Sequence, residues 1–187
     1  MATLDGYPKI VSGYRLDRVE KDDTKQYVVN LVGKGSNKFY LDNYSIDNLT
    51  DRDKPTQVKY SFRIGDYFQK IGDEIYVNMN LNKDHYNHYL TDRKTPWETD
   101  YKYVKTESCV LNIPPEYAVD YLPENVNYDG KSVGIEVRYE QLANQIVMHK
   151  KFYIDFLLMK PDQFNDWNES IKRISDVYKE AIILKKK

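Results

Sequence analysis

The sequence predicts a mainly β fold: an antiparallel, immunoglobulin-like β-sandwich with one C-terminal α-helix. Three observations lead to this prediction. Apolar and polar residues alternate over most of the chain, turn sequences separate the alternating runs, and one C-terminal stretch repeats its apolar residues every three or four positions. The 187 residues suit one large β domain, or one domain with a small β appendage. A chain near this size can bury roughly 70% of its unfolded surface and needs no disulfide or metal to fold.

The alternation with a period of two is strongest in three runs, at residues 58–64, 133–140 and 146–158. In each run one face is apolar and the other is polar, which is typical of a strand that buries one side. Shorter strands are predicted at residues 10–19, 27–32, 38–44, 75–79 and 109–113.

Turn sequences support the hairpin connections between these strands. Gly72 and Asp73 stand between two short apolar runs, as in a two-residue turn that begins with glycine. Asp129 and Gly130 form a second such signal, because both residues tolerate a positive φ. The polar stretch at residues 50–55 is the best candidate for an internal boundary. The predicted division is therefore an N-terminal β segment at 1–55 and a β-sandwich with its helix at 56–187.

The C-terminal helix is predicted from its start signals and its apolar stripe. Pro161 suits the first helical position, and the negative charge of Asp162 favours the positive end of the helix dipole. The apolar stripe then consists of Phe164, Trp167, Ile171, Ile174 and Tyr178. We expect this stripe to pack on a sheet, followed by a last strand at 182–184.

Composition and charge narrow the function classes. Lys and Arg number 28 against 29 Asp and Glu, so no one-signed field is available for phosphate binding, and nucleic acid is not expected as a partner. The single cysteine, Cys109, forms no internal disulfide and builds no cysteine-based zinc site. No stretch has the length and apolarity of a membrane span, and residues 1–30 contain no recognisable signal peptide.

Candidate reactive residues are few. Cys109 shares its predicted strand face with Leu111 and is expected to point inward as a small hydrophobe. His85 and His88 could hold a metal, but in a loop with no clear third ligand they are expected to be surface histidines. His149 is expected to be exposed. No catalytic motif is present, so the prediction is a non-enzymatic chain with no catalytic residue, no metal and no cofactor, although a carboxylate pair remains an alternative.

The 18 tyrosines suggest a contact surface on one loop. Aromatic side chains on a β surface can bind sugar rings or peptides. The favoured alternative is that most tyrosines fill the core of the sandwich and its rim. The predicted contact surface consists of Tyr86, Tyr89, Arg93, Trp97, Tyr101 and Tyr103.

Ordered short motifs over residues 56–187 resemble a bacterial family. They are the segments 71–77, 90–96, 113–117 and 121–123, the long strand from Asn144, and the ending from Phe164 to Lys185. Together they resemble DUF3858, a domain of unknown function found at the C-terminus of transglutaminase-like proteins, especially those of Bacteroidetes.

The resemblance implies a role and a location. In that family the domain follows a DUF3857 domain and a papain-like transglutaminase core, which carries the catalytic Cys-His-Asp set. The chain would then be a non-catalytic accessory domain that docks on or shields that upstream core, within a longer chain exported to the periplasm or cell surface. Residues 1–55 would link the core to this domain, and Cys109 would not be the family nucleophile. The alternative is a glycan- or peptide-binding module that uses the same aromatic loop.

Overall fold

A computed structural model describes residues 1–20 and 23–187, which form two compact units, Met1–Tyr67 and Phe68–Lys187. The division lies after Tyr67, whereas the sequence placed the boundary at residues 50–55. The strand that follows this polar stretch belongs to the first unit, because it pairs with both other strands there. Residues 21 and 22 of the predicted N-terminal segment lie outside the described residues.

The first unit combines helices and strands. In chain order its elements are β1 (Ala2–Leu4), α1 (Gly6–Leu16), α2 (Thr24–Val32), β2 (Phe39–Asp47) and β3 (Thr56–Ile64). The three strands form an antiparallel sheet in the order β1-β3-β2. Four buried apolar residues form its core: Val28, Val32, Leu41 and Val58.

The predicted strands at 10–19 and 27–32 are wrong, and the N-terminal segment is not all β. Asp5 begins α1, since its carboxylate accepts a hydrogen bond from the Gly6 backbone N–H at 2.8 Å. In α2, Val28 and Val32 lie one turn apart and both enter the core. Burying one helical face outweighs the preference of valine for strands.

The second unit is mainly β, with one C-terminal helix. Its strands are β4 (Gln69–Ile71), β5 (Glu74–Val77), β6 (Trp97–Glu98), β7 (Tyr103–Asn112), β8 (Tyr117–Tyr121), β9 (Val126–Asp129), β10 (Val133–Gln141), β11 (Gln145–Ile154), β12 (Leu158–Met159) and β13 (Ile182–Lys186). A 3-10 turn at Pro161–Gln163 leads into α3 (Phe164–Val177).

The strands of this unit pair antiparallel in three sheets. Two sheets have four strands, in the orders β7-β11-β10-β9 and β4-β5-β13-β8, and β12 pairs with β6. The predicted hairpin at Gly72 is confirmed: β4 and β5 flank it, and Gly72 adopts a φ of 60°, which glycine tolerates without strain. The predicted run at 146–158 is interrupted after Ile154, where the chain leaves the sheet before β12.

The core of the second unit contains residues of both four-stranded sheets and of the helix. Ile135 and Phe152 contribute from the inner face of the β7-β11-β10-β9 sheet, and Ile171 from α3. Ile182 and Leu184 of β13, in the β4-β5-β13-β8 sheet, also belong to this cluster. All five residues of the predicted helical stripe are buried, and the predicted last strand is also confirmed. No helix among the described residues is long and apolar enough to cross a membrane.

Candidate functional site

The predicted contact residues lie between the end of β5 and the start of β7; residues 78–103, which include β6 and the first residue of β7, are called the aromatic loop below. Hydrogen bonds tie it to α3 and to Tyr178, the residue that follows α3. The Asn78 side chain donates to the Tyr178 carbonyl at 2.8 Å, and the Asn87 backbone N–H donates to Ser175 Oγ at 3.0 Å. The Leu90 N–H donates to Asn168 Oδ1 at 2.7 Å. Because these partners belong to α3 or follow it directly, the helix fixes the path of the loop.

His85 and His88 meet head-on within this loop. Their Nδ1 atoms are 3.0 Å apart, their ring planes differ by 9° and their ring centres are 5.3 Å apart. The difference between these two distances equals the sum of the two distances from a ring centre to its own Nδ1, which is the largest value it can have. Both nitrogens therefore lie on the line between the ring centres, and the rings share one N–H···N hydrogen bond in a common plane.

His85 is enclosed, contrary to its prediction as a surface histidine. Its Nε2 lies 3.2 Å from the Tyr103 hydroxyl, and its ring contacts those of Trp167 and Phe152. Burial lowers the pKa of His85, and the neighbouring His88 ring lowers it further. His88 and His149 are exposed, as predicted. Cys109 is half-buried and packs against the core, also as predicted.

Trp97 is part of the packing rather than of an exposed surface. Its ring lies edge-on to Trp167 at 4.8 Å and to Phe156 at 5.1 Å, measured between ring centres. The His88 ring adds a third contact at 5.1 Å. Trp167 also donates from its indole N–H to the His88 carbonyl at 2.8 Å. Edge-to-face contacts of this kind favour a single arrangement of rings, so Trp97 holds the loop in place.

The other predicted contact residues divide between the interior and the surface. Tyr103 is half-buried, and burial raises the pKa of its hydroxyl well above the ordinary value. Tyr101 is half-buried beside it. The Arg93 guanidinium donates to the carbonyls of Thr95 and Pro96, at 2.9 and 2.7 Å, and so braces the loop itself.

Tyr86 and Tyr89 are the exposed members of the predicted surface, at 39% and 40%. Tyr86 lies near the Tyr178 ring, with centres 6.4 Å apart, and the ammonium group of Lys83 lies 5.5 Å from the Tyr86 ring. The six predicted residues therefore belong to one loop, but only these two present aromatic rings to solvent.

Behind the loop lies an ionic cluster that the sequence did not predict. Lys150 is 3% exposed, and its ammonium group donates to Glu107 Oε2 at 2.7 Å and to the Asn82 carbonyl at 2.5 Å. Lys105 pairs with Asp84 at 2.5 Å. The available signal was the position of Lys150 on the apolar face of its alternating run. A buried lysine requires such partners.

Comparison with known families assigns the second unit to a family. A family model described as a domain of unknown function with solved structure, DUF3858, matches residues 73–184. The chain belongs to the DUF3858 family. The matched residues fall within the second unit and include the whole aromatic loop of this DUF3858 domain. No match was found among the curated proteins or among the solved structures.

Polar side chains behind the aromatic loop are paired with one another. Both ring nitrogens of His85 are engaged, as are both carboxylate oxygens of Glu107, with Lys150 and the Asn82 amide. Across residues 1–20 and 23–187, no three His, Cys, Asp or Glu side chains group as a metal site requires. The arrangement holds a rigid loop that carries two outward-facing tyrosines.

Proposed function

We propose that this DUF3858 domain is a non-catalytic accessory domain that docks on a transglutaminase- or protease-like catalytic core of the same protein. The proposal includes export of a Bacteroidetes-type parent chain to the periplasm or cell surface. It also keeps the immunoglobulin-like sandwich as the scaffold of the domain. Docking would place a rigid surface beside the catalytic cleft, orienting or shielding it.

The observation that carries the proposal is the fixed loop with Tyr86 and Tyr89 exposed. The packing of Trp97 and the hydrogen bond between His85 and His88 hold the loop backbone that carries the two tyrosines. Little conformational entropy is therefore lost when a partner covers the rings of Tyr86 and Tyr89. Tyrosine gives a large apolar contact area and one hydroxyl for hydrogen bonding, which suits it to protein interfaces.

The docking test mixes the full 187-residue chain with the separately produced catalytic core from the same gene. Tyr86→Ala with Tyr89→Ala is expected to weaken binding by about tenfold or more, or ~1.4 kcal/mol, in isothermal titration calorimetry. Tyr121→Ala is the matched control, because Tyr121 is 42% exposed but belongs to β8. Trp97→Ala is unsuitable, since it would disturb the packing behind the loop.

Two results would contradict the docking proposal. One is equal binding by the double variant and the Tyr121→Ala control. The other is a native polypeptide near 22.2 kDa in immunoblots of the source cells, since the proposal requires a chain several-fold larger.

A glycan- or peptide-binding module is the second candidate, and the same pair of exposed rings favours it. Sugar rings stack on exposed aromatic faces, and Tyr86 and Tyr89 are available for this. Trp97 is not, because rings surround it. Binding of soluble cell-wall glycans by the chain alone, lost in the double tyrosine variant, would favour this candidate over docking.

A further inference from the structure

Strand β7 is an open sheet edge. It pairs with β11 along all ten of its residues, Tyr103–Asn112, and no strand in the described part of the chain pairs with its other side. Such an edge presents a row of backbone N–H and C=O groups that can bond to another strand. We propose that β7 pairs antiparallel with β7 of a second copy of this chain, which joins the two sheets across a two-fold axis.

The exposed side chains of β7 favour a second copy of this chain as the partner. Val104 and Val110 are 61% and 52% exposed, on the outer face of the sheet, and each stands three residues from Glu107. In an antiparallel pair centred on Glu107, Val104 lies opposite Val110 of the second copy, and Val110 opposite Val104. The same surface on both copies is thus complementary to itself, as a two-fold interface requires.

The neighbouring strand extends this match. Within one copy, Tyr153 of β11 lies opposite Val104, and Val147 lies opposite Val110. Pairing two copies therefore makes an apolar row of four side chains at each end of the interface. Cross-strand apolar pairs of this type stabilise sheets and would cover part of the exposed surface of the two valines.

The centre of the interface is polar and free of uncompensated charge. On the outer face Thr106 meets Ser108 of the second copy, and Ser108 already shares a hydrogen bond of 2.9 Å with His149. On the inner face Glu107 meets its own equivalent. Lys150 and the Asn82 amide engage its two oxygens within each copy, which offsets the repulsion between the carboxylates.

Other registers fit less well. If the pair were centred on Val104 or on Val110, that valine would lie opposite the same valine of the second copy. The other valine would then have no partner, and fewer residues of the strand would be paired. The register centred on Glu107 pairs residues 103–111 with their equivalents and is the one that places Val104 opposite Val110 in both copies.

A charge exchange on the outer face tests the pairing. The full chain is expected to sediment as a dimer in analytical ultracentrifugation. Val104→Lys with Val110→Lys places lysine opposite lysine at both ends, and association should weaken about tenfold or more. Val104→Lys with Val110→Glu places opposite charges there and should restore the dimer. Both variants change the same exposed positions, so unchanged circular dichroism spectra should confirm that each one folds.

Cross-linking tests the register. In a Cys109→Ala background, Val104→Cys with Val110→Cys should form a disulfide-linked dimer, whereas either cysteine alone should not. The two positions lie about 20 Å apart within one strand, so no disulfide can form inside one copy. A wild-type chain that stays monomeric at all concentrations, a lysine–lysine variant that dimerises like the wild type, or single variants that cross-link as readily as the double variant would overturn the proposal.

Discussion

At the scale of single residues, His85 and Lys150 show how the second unit treats buried polar groups. Lys150 lies buried on the inner face of β11, where Glu107 and the Asn82 carbonyl take the place of the water that its ammonium group would otherwise contact. His85 instead forms hydrogen bonds with His88 and with the Tyr103 hydroxyl. Each group is tolerated only because specific partners face it.

The histidine pair predicts a loss of stability in mild acid. The native pKa of His85 lies below its unfolded value near 6.5, so the unfolded chain binds a proton more readily. The free energy of unfolding should therefore fall as the pH drops below about 6.5 and level off below the native pKa. Asp84 opposes the lowering of the pKa, and Lys105 adds to it.

Urea unfolding of the full chain between about pH 7 and 5.5 would check this prediction. This pH range lies above the ordinary pKa values of carboxyl groups, so their titration contributes little there. His85→Phe, which keeps a ring, should show a smaller loss of stability than the wild type over that range. His149→Gln should retain the wild-type slope, because His149 is exposed. Identical slopes in all three proteins would contradict the assignment to His85.

At the scale of elements, α3 is the part whose packing organises the second unit. Its buried side includes Trp167, Ile171 and Ile174, and its polar groups fix the aromatic loop through Asn168 and Ser175. The helix therefore connects the core to the proposed docking surface.

Truncation within this helix should lower stability strongly. Ile174→Ala removes a fully buried side chain, and we expect a loss of about 2–5 kcal/mol in the free energy of unfolding. Lys172→Ala, on the exposed face of α3, should change it by less than about 0.5 kcal/mol. Chemical denaturation followed by tryptophan fluorescence would measure both. A small loss for Ile174→Ala would mean that the helix is not part of the cooperative core.

At the scale of the whole molecule, the chain forms two units with separate cores, and the family match lies in the second. The boundary was not readable from composition. The polar stretch at 50–55 is a connection between β2 and β3, and the Lys9 ammonium group binds three of its carbonyls, those of Asp51, Arg52 and Lys54. A polar sequence marks exposure, and both internal loops and domain linkers are exposed.

The sequence by itself determined the elements whose pattern is local. The alternation in β10 and β11, the glycine turn at Gly72 and the apolar stripe of α3 each lie within one segment, and each was confirmed. Only the tertiary structure decided that residues 27–32 are helical, because burial of Val28 and Val32 on one face outweighed the local preference of valine.

The same division holds for the candidate site. Sequence placed the aromatic residues on one loop, but contacts with distant elements determined their orientation. Trp167 and Phe156 enclose Trp97, and Phe152 packs against Tyr103, whereas Tyr86 and Tyr89 remain exposed. A loop has no period that separates an inner from an outer face, so burial there depends on what the rest of the chain packs against it.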